Sequence, residues 1–452
     1  MNPFKKKIIV VGGSAAGPAA AAKAKRVNPD NEVILYEAGS YISIGTCEIP
    51  YVLSGEIDKV EKLIFFTPEK FENEKGVKVK INQRVEFIDK HKKKIFVRDL
   101  VSQKVYEDQY DKLILSTGSL KKYHPAFRNG LLNVFYLKTI NDVKAIQDFI
   151  SKNRVNSVLV IGAGYTGLEA LEFVKNIAND IYLIDISELP LPGYDFEVRK
   201  ILMDKLLEKK INFFGNVKEI KVFEKDDRVT RLKINNQQIE VDFILITIGF
   251  EPNNSLAKTA NLALNSPCGS IKVDDKQKTS DENIYAAGDC CGVKEFITKK
   301  TRWIPLASYA HNQGHVAGAN AAGEPATFGQ VVRNVAFRFF DLNIAIVGLT
   351  TDELEMNQIK FREVSAIGNS RVKIMPSGQK HFVKIKFKPD DKKIVSANLI
   401  GGDDIVGKAN LISFAIKNNL PVTKFYEADF LYTPTLSPLV DTLSILGKKA
   451  GE

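Results

Sequence analysis

Residues 157–167 read S-V-L-V-I-G-A-G-Y-T-G, and residues 7–17 read K-I-I-V-V-G-G-S-A-A-G. In the second stretch Ile8–Val11 is a continuous apolar strand, Gly12–Gly17 a glycine-rich turn, and the alanine-rich run Ala19–Arg26 a helix. Glu32–Tyr36 follows as another strand and ends at Glu37. Strand, glycine turn, helix, strand and acid in that order make a dinucleotide-binding unit, with Ser14 where a middle glycine is usual. Small residues at Gly12, Ser14 and Gly17 let the backbone approach a pyrophosphate at the helix N-terminus, and Glu37 is placed to accept from ribose hydroxyls. The same order recurs about 150 residues later. Ser157–Ile161 is the strand, Gly162, Gly164 and Gly167 punctuate the turn, Leu168–Ile177 is the helix, and Ile181–Ile184 closes on Asp185. An acid there favours a free 2′-hydroxyl over a 2′-phosphate, hence NADH over NADPH. Two such units in one chain predict an α/β protein with two Rossmann-like domains, one for a flavin and one for a hydride donor.

Each unit is followed by an apolar strand running into a crossing. The first is K-L-I-L-S-T-G at 112–118, ending in Thr117 and Gly118, and the second is F-I-L-I-T-I-G at 243–249, ending in Gly249. Residues 279–289 form a further strand that ends in Gly288 and Asp289, an acid suited to a flavin's ribityl hydroxyls.

Length and charge bound the rest. A chain of 452 residues needs several domains. The net charge of +10 is spread over short runs such as Lys5–Lys7 and Lys92–Lys94, with no basic helix or nucleic-acid motif. The basic N-terminus has too short an apolar run for a signal peptide, no stretch approaches a membrane span, and the cytoplasm is expected. The four cysteines, Cys47, Cys268, Cys290 and Cys291, show no C-x-x-C or metal spacing, as expected in a reducing compartment. Cys290 and Cys291 follow Asp289 directly and read as packing residues. Cys47 lies in Y-I-S-I-G-T-C-E-I-P-Y at 41–51 with no cysteine partner nearby, so any redox chemistry needs a sulfur or an oxygen from outside the local sequence. A helix starting near Cys47 would favour its thiolate.

Together these segments resemble the FAD-dependent pyridine nucleotide–disulfide oxidoreductases over essentially the whole chain. The single-cysteine branch fits best: coenzyme A-disulfide reductases, NADH oxidases and peroxidases, and persulfide reductases. Phe66–Phe71, Trp303–Leu306 and Leu431–Pro434 also look like family segments. The resemblance implies an FAD-binding domain (1–119 with 249–325), an NADH-binding domain (120–248) and a C-terminal α+β dimerisation domain (326–452). It implies a homodimer, a redox role for Cys47 with Ser43 beside it, and a Tyr432 that reaches the other subunit's flavin pocket. Lys23, Arg26, Lys75 and His311 resemble coenzyme A contacts, Tyr165 a nicotinamide gate, and Glu169 a neighbour of the flavin. The implied function is NADH-dependent reduction of a disulfide, persulfide or polysulfide, with coenzyme A disulfide or persulfide leading. NADH oxidation by oxygen and electron-transfer reduction are the rivals. The chain departs from family pattern at Ala15, where peroxidases and many oxidases carry histidine. It departs from the disulfide reductases at Glu48, Ile374-Met375 and Val440.

Overall fold

The computed structural model describes residues 5–452. Met1–Phe4, the start of the basic N-terminal stretch, lie outside the described residues. Two five-stranded parallel sheets share one plan. In the first, Lys7–Val11 is central, with Glu32–Tyr36 and Lys78–Lys80 on one side and Lys112–Leu115 and Ile284–Ala286 on the other. In the second, Ser157–Ile161 is central, with Asp180–Ile184 and Asn212–Phe214 on one side and Phe243–Ile246 and Val134–Tyr136 on the other. Parallel strands covered on both faces need continuous apolar runs, and Ile8, Ile9, Val158, Leu159 and Val160 are completely buried. Each sheet carries a three-stranded antiparallel appendage, at 83–109 and at 220–240.

Both glycine-turn helices begin earlier than expected, at Ala16 and Tyr165. The last residues of each glycine turn already have helical backbone, which places the first amides of the helix inside the turn. Between the sheets the chain crosses twice, and the crossings pair antiparallel as Ser119–Lys121 with Phe250–Pro252.

The C-terminal third is a five-stranded antiparallel sheet in the spatial order Asn334–Phe339, Leu342–Gly348, Ile394–Gly401, Lys380–Phe387, Arg362–Asn369. The helices Ile405–Lys417 and Thr442–Gly451 cover it through Ile405, Ile412, Leu443 and Leu446. This sheet is tied to the second unit by Lys386, whose ammonium meets Asp195 at 2.5 Å with both side chains 3% exposed. Removing one partner would strand the other charge, so the pair makes the junction specific. One apolar cluster joins Ile49 and Val52, Leu168 and Leu171 of the second unit, and Phe337 and Phe339 of the C-terminal sheet. The short helix Ile49–Leu53, just after Cys47, is thereby clamped from both sides. No described helix is long and apolar enough to cross a membrane.

Candidate active site

The two glycine turns are built alike, atom for atom. Gly12 and Gly162 have φ of +104° and +106°, a region that L side chains rarely adopt. A side chain at Gly17 would put its Cβ 1.8 Å from the Gly12 carbonyl oxygen, and one at Gly167 would lie 2.0 Å from that of Gly162. Those glycines let the helix sit directly on the strand end. The acids close each turn from below. Glu37 accepts from the amides of Gly13 and Gly39, both at 2.6 Å, and Asp185 from those of Ala163 and Ser187, both at 2.8 Å. Neither helix carries an acid in its first turn, so the free amides there face no competing negative charge. Ser14 is exposed, and a side chain at Gly164 would meet only open space, so both turns present bare backbone to a ligand. The residues present fit two dinucleotides.

The crossings are clasped by hydrogen bonds. Thr117 Oγ1 donates to the Asn253 carbonyl at 2.7 Å, Asn253 Nδ2 donates to the Thr117 carbonyl at 3.2 Å, and Gly118 and Gly249 both take positive φ. Beyond the strand Ile284–Ala286, Gly288 turns the chain with φ +84° and presents Asp289. Its carboxylate accepts from Ser119 Oγ at 3.0 Å, while the Trp303 indole donates to its backbone carbonyl at 2.7 Å. Desolvation pushes the Asp289 carboxyl up, and Lys138 and Ser119 pull it back.

Cys47 stands in this cleft. The segment leading to it is pinned by the Ser43 amide, which donates to the Gly13 carbonyl at 2.7 Å, and by the pairing of Ile42 and Ile44 with Phe66 and Ile64. Ser43 holds φ +51°, a costly conformation for a residue with a side chain, at the point where the active-site segment meets the first glycine turn. Cys47 is exposed and free. Its helix does start nearby, at Ile49 with Glu48 as the capping residue, but the expected bias toward thiolate does not prevail. Loss of hydration first, then the charges of Glu48, Glu169 and Asp289, raise the thiol, against a smaller opposing bond from Thr46. Three carboxylates outweigh one turn and a half of helix. Gly45 leaves room for the Glu48 carboxylate, which a side chain there would meet at 2.5 Å.

Glu169 and Tyr165 project from the second helix toward the same cleft. Tyr165 is raised by burial and by Asp289, Cys47 and Glu169, which places all four in one neighbourhood. Glu169 is pushed up to about 7, chiefly by desolvation, despite a hydrogen bond from Tyr51 Oη at 3.2 Å. Tyr51 in turn lies 5.2 Å beneath Arg338, which binds Glu56 and Glu172. Tyr51 and Arg338 were not legible as site residues, although Tyr51 lies four residues past Cys47.

Of the four candidate coenzyme A contacts, three gather on one surface. Lys23, Arg26 and His311 all act on His315, whose ring lies 4.6 Å from that of His311. The helices bearing them, Ala16–Val27 and Ala307–Ala322, pack closely because Gly314 and Gly318 face the backbone at Ala16 and Ala20. Lys23 is also ion-paired with Glu324 at 2.9 Å, while Arg26 and His311 are exposed. Lys75 ends a neighbouring helix and lies 5.3 Å over the Phe66 ring. His315, one turn after His311, is the member that i, i+4 spacing could have revealed. Tyr432 is 49% exposed in the loop before the last helix, a loop that also exposes Leu431, Leu436 and Leu439. Cys290 and Cys291 are packing residues as expected, fully buried with their thiols on backbone carbonyls such as Leu115 and Gly288.

Residues 6–314 match the family model described as pyridine nucleotide-disulphide oxidoreductase, and residues 335–443 match that family's dimerisation domain. An NAD(P)H sulfur oxidoreductase (CoA-dependent) of Pyrococcus furiosus is 30% identical, covering 98% of this chain and 99% of the relative. A coenzyme A disulfide reductase of Staphylococcus aureus is 28% identical, covering 98% and 99%. Among solved structures, the water-forming NADH oxidase of Lactobacillus brevis bound to NADH superposes with a TM-score of 0.92 at 26% identity, covering 99% of this chain and 98% of that one.

Proposed function

The chain belongs to the pyridine nucleotide-disulphide oxidoreductase family, and from that premise we propose that it is an NADH-dependent FAD flavoprotein that reduces a disulfide, persulfide or polysulfide through Cys47. Coenzyme A disulfide or persulfide is the leading substrate. The observation that carries this reading is a single exposed thiol, Cys47, at the meeting of two dinucleotide cradles, with Cys290 and Cys291 buried and Cys268 half-buried beside Ser270 at 3.2 Å.

FAD, held by Gly12, Ser14, Gly17, Glu37, Thr117, Gly118, Gly288 and Asp289, supplies a two-electron relay between NADH and sulfur. Gly162, Gly164, Gly167 and Asp185 hold NADH, Tyr165 gates the nicotinamide pocket, and Glu169 stands near the flavin. Gly249 lets the second crossing turn between the two sites. With no second cysteine beside it, Cys47 rests as a mixed disulfide with a small thiol. Two electrons and one proton cleave that disulfide, leaving the Cys47 thiolate and a released thiol. The thiolate then attacks the next disulfide, re-forming the mixed disulfide and expelling a second thiolate. Ser43 steadies the segment that carries Cys47. Tyr432 of a partner subunit donates the proton to the leaving thiolate.

Lys23 and Arg26, with Lys75 nearby, form the cationic ground on which the phosphates of coenzyme A dock, with His311 and His315 beside them as polar contacts. We read the chain as three domains, 1–119 with 249–325, 120–248 and 326–452, the last forming a homodimer. Support for the dimer comes from the family's dimerisation model and from exposed apolar residues such as Leu431 (93% exposed), Leu439 and Ile374. Four free cysteines suit the cytoplasm.

The likeness to the Lactobacillus brevis oxidase supports a second reading, reduction of oxygen at the flavin. Anaerobic NADH consumption with coenzyme A disulfide separates the two. The reductase reading expects turnover without oxygen that Cys47→Ser abolishes. Turnover that requires oxygen and ignores the disulfide would establish the oxidase reading instead.

A further inference from the structure

We infer that Lys138 is a positioning residue for the flavin, acting from the second unit through Ser119 on the Asp289 carboxylate. This rests on the reading of Asp289 as a flavin ligand. Lys138 follows the edge strand Val134–Tyr136 of the second sheet. Its ammonium donates to Ser119 Oγ at 2.8 Å, and that hydroxyl donates onward to Asp289 Oδ2 at 3.0 Å. The direction of the chain is forced, because an ammonium only donates and a carboxylate only accepts. Among the described residues this is the one side-chain hydrogen bond made to the Asp289 carboxylate.

The surroundings leave Lys138 no better partner. Asp142, the nearby acid, is already saturated: Lys121 takes Oδ1 at 2.9 Å, while Oδ2 accepts from the amides of Lys138 and Thr139 and from Thr139 Oγ1. The ammonium instead lies 4.3 Å over the Phe250 ring. Ser119 and Phe250 stand on the paired crossing strands, so the ammonium is seated where the two units join. Burial works against both charges, lowering Lys138 and raising Asp289, and each is the leading opposing influence on the other. A carboxylate that accepts from a cofactor hydroxyl binds it most strongly when ionised, which is costly in a poorly hydrated place. Here the compensating charge comes from the other unit, so the grip on the flavin depends on how that unit is seated.

The test is the FAD dissociation constant of the purified holoenzyme, from release of flavin fluorescence on dilution, together with the visible flavin absorption bands. Lys138→Met is expected to weaken FAD binding roughly tenfold or more and to shift the bands, since the positive charge that offsets the buried Asp289 carboxylate and its charge-assisted bond to Ser119 Oγ are both lost. Lys138→Arg should restore most of the affinity, and Ser119→Ala should show a smaller loss. A Lys138→Met protein with wild-type affinity and spectrum overturns the proposal, as does an Arg variant as impaired as Met. Should the Met variant fail to fold, Ser119→Ala with unaltered affinity and spectrum overturns it. Asp289→Asn separates the two layers. If it too binds FAD normally, the reading of Asp289 has failed. If it loses FAD while Lys138→Met does not, only the role of Lys138 has failed.

Discussion

The two dinucleotide units differ in almost nothing that a turn requires and in almost everything that surrounds it. Both have a first glycine at φ near +105°, a third glycine pressed on a carbonyl, and an acid accepting two backbone amides. Even the hydroxyl beneath each turn is repeated. Ser116 Oγ donates to the carbonyls of Val11 and Gly12, and Thr247 Oγ1 donates to those of Ile161 and Gly162. Around the first turn lie the pinned active-site segment, through Ser43, and the glycine-lined helix Ala307–Ala322. Around the second lie the helix Ile49–Leu53 and the C-terminal sheet, with Tyr165 where the first turn has Ala15. The lesson is that the turn fixes the class of ligand, while its neighbours decide which dinucleotide is held permanently and which comes and goes.

The strongest way to break this symmetry is to fill each cradle in turn. Gly17→Ala and Gly167→Ala both drive a methyl group into a backbone carbonyl, an overpacking worth on the order of 3 kcal/mol or about 100-fold in binding. Gly17→Ala is expected to yield protein without bound flavin. Gly167→Ala should keep its flavin and show a raised KM for NADH. Flavin absorbance and steady-state kinetics read the two effects separately, and equal loss of flavin in both would erase the distinction.

A milder change removes the acid. Asp185→Ala leaves the Ala163 and Ser187 amides unpaired and takes away the 2′-hydroxyl partner. NADH KM should rise roughly tenfold with little change in kcat, and preference over NADPH should fall. A separate effect, on stability rather than binding, concerns Glu169, which has no counterpart in the first unit. Its folded value of about 7 lies above the ordinary 4.5, so the folded protein binds more protons than the unfolded chain between those limits. Stability is therefore expected to fall as pH rises from about 4.5 to about 7. Glu169→Gln, which cannot ionise, should gain on the order of 2 kcal/mol relative to the parent across that window in urea unfolding of the flavin-free protein. Parallel pH profiles of parent and variant would show that Glu169 ionises freely.

Much of the frame was legible in the chain. Apolar runs such as Ile8–Val11 and Ser157–Ile161, ended by glycines and followed by acids, announce both cradles because the signal is local and repeated. The helices begin at Ala16 and Tyr165, three residues before the sequence pattern places them, since Gly17, Pro18 and Gly167 look like turn residues even where the backbone is already helical. The protonation bias of Cys47 was misread for a different reason. Its thiol is raised first by lost hydration and by Glu48 and then by Glu169 and Asp289, and the last two carboxylates come from residues more than a hundred positions away, whereas the helix start is adjacent in sequence. The same limit hid Lys138, Tyr51 and Arg338, whose partners lie across unit boundaries and leave no spacing to read.

The most direct test of the central claim is the intact mass of the purified protein under non-reducing conditions, beside its Cys47→Ser variant. The account predicts an adduct of a small thiol, with the mass of coenzyme A as the leading case, that dithiothreitol removes and the variant lacks. An unmodified thiol or a sulfenic acid at Cys47, joined by rapid oxygen-dependent NADH consumption, would contradict it.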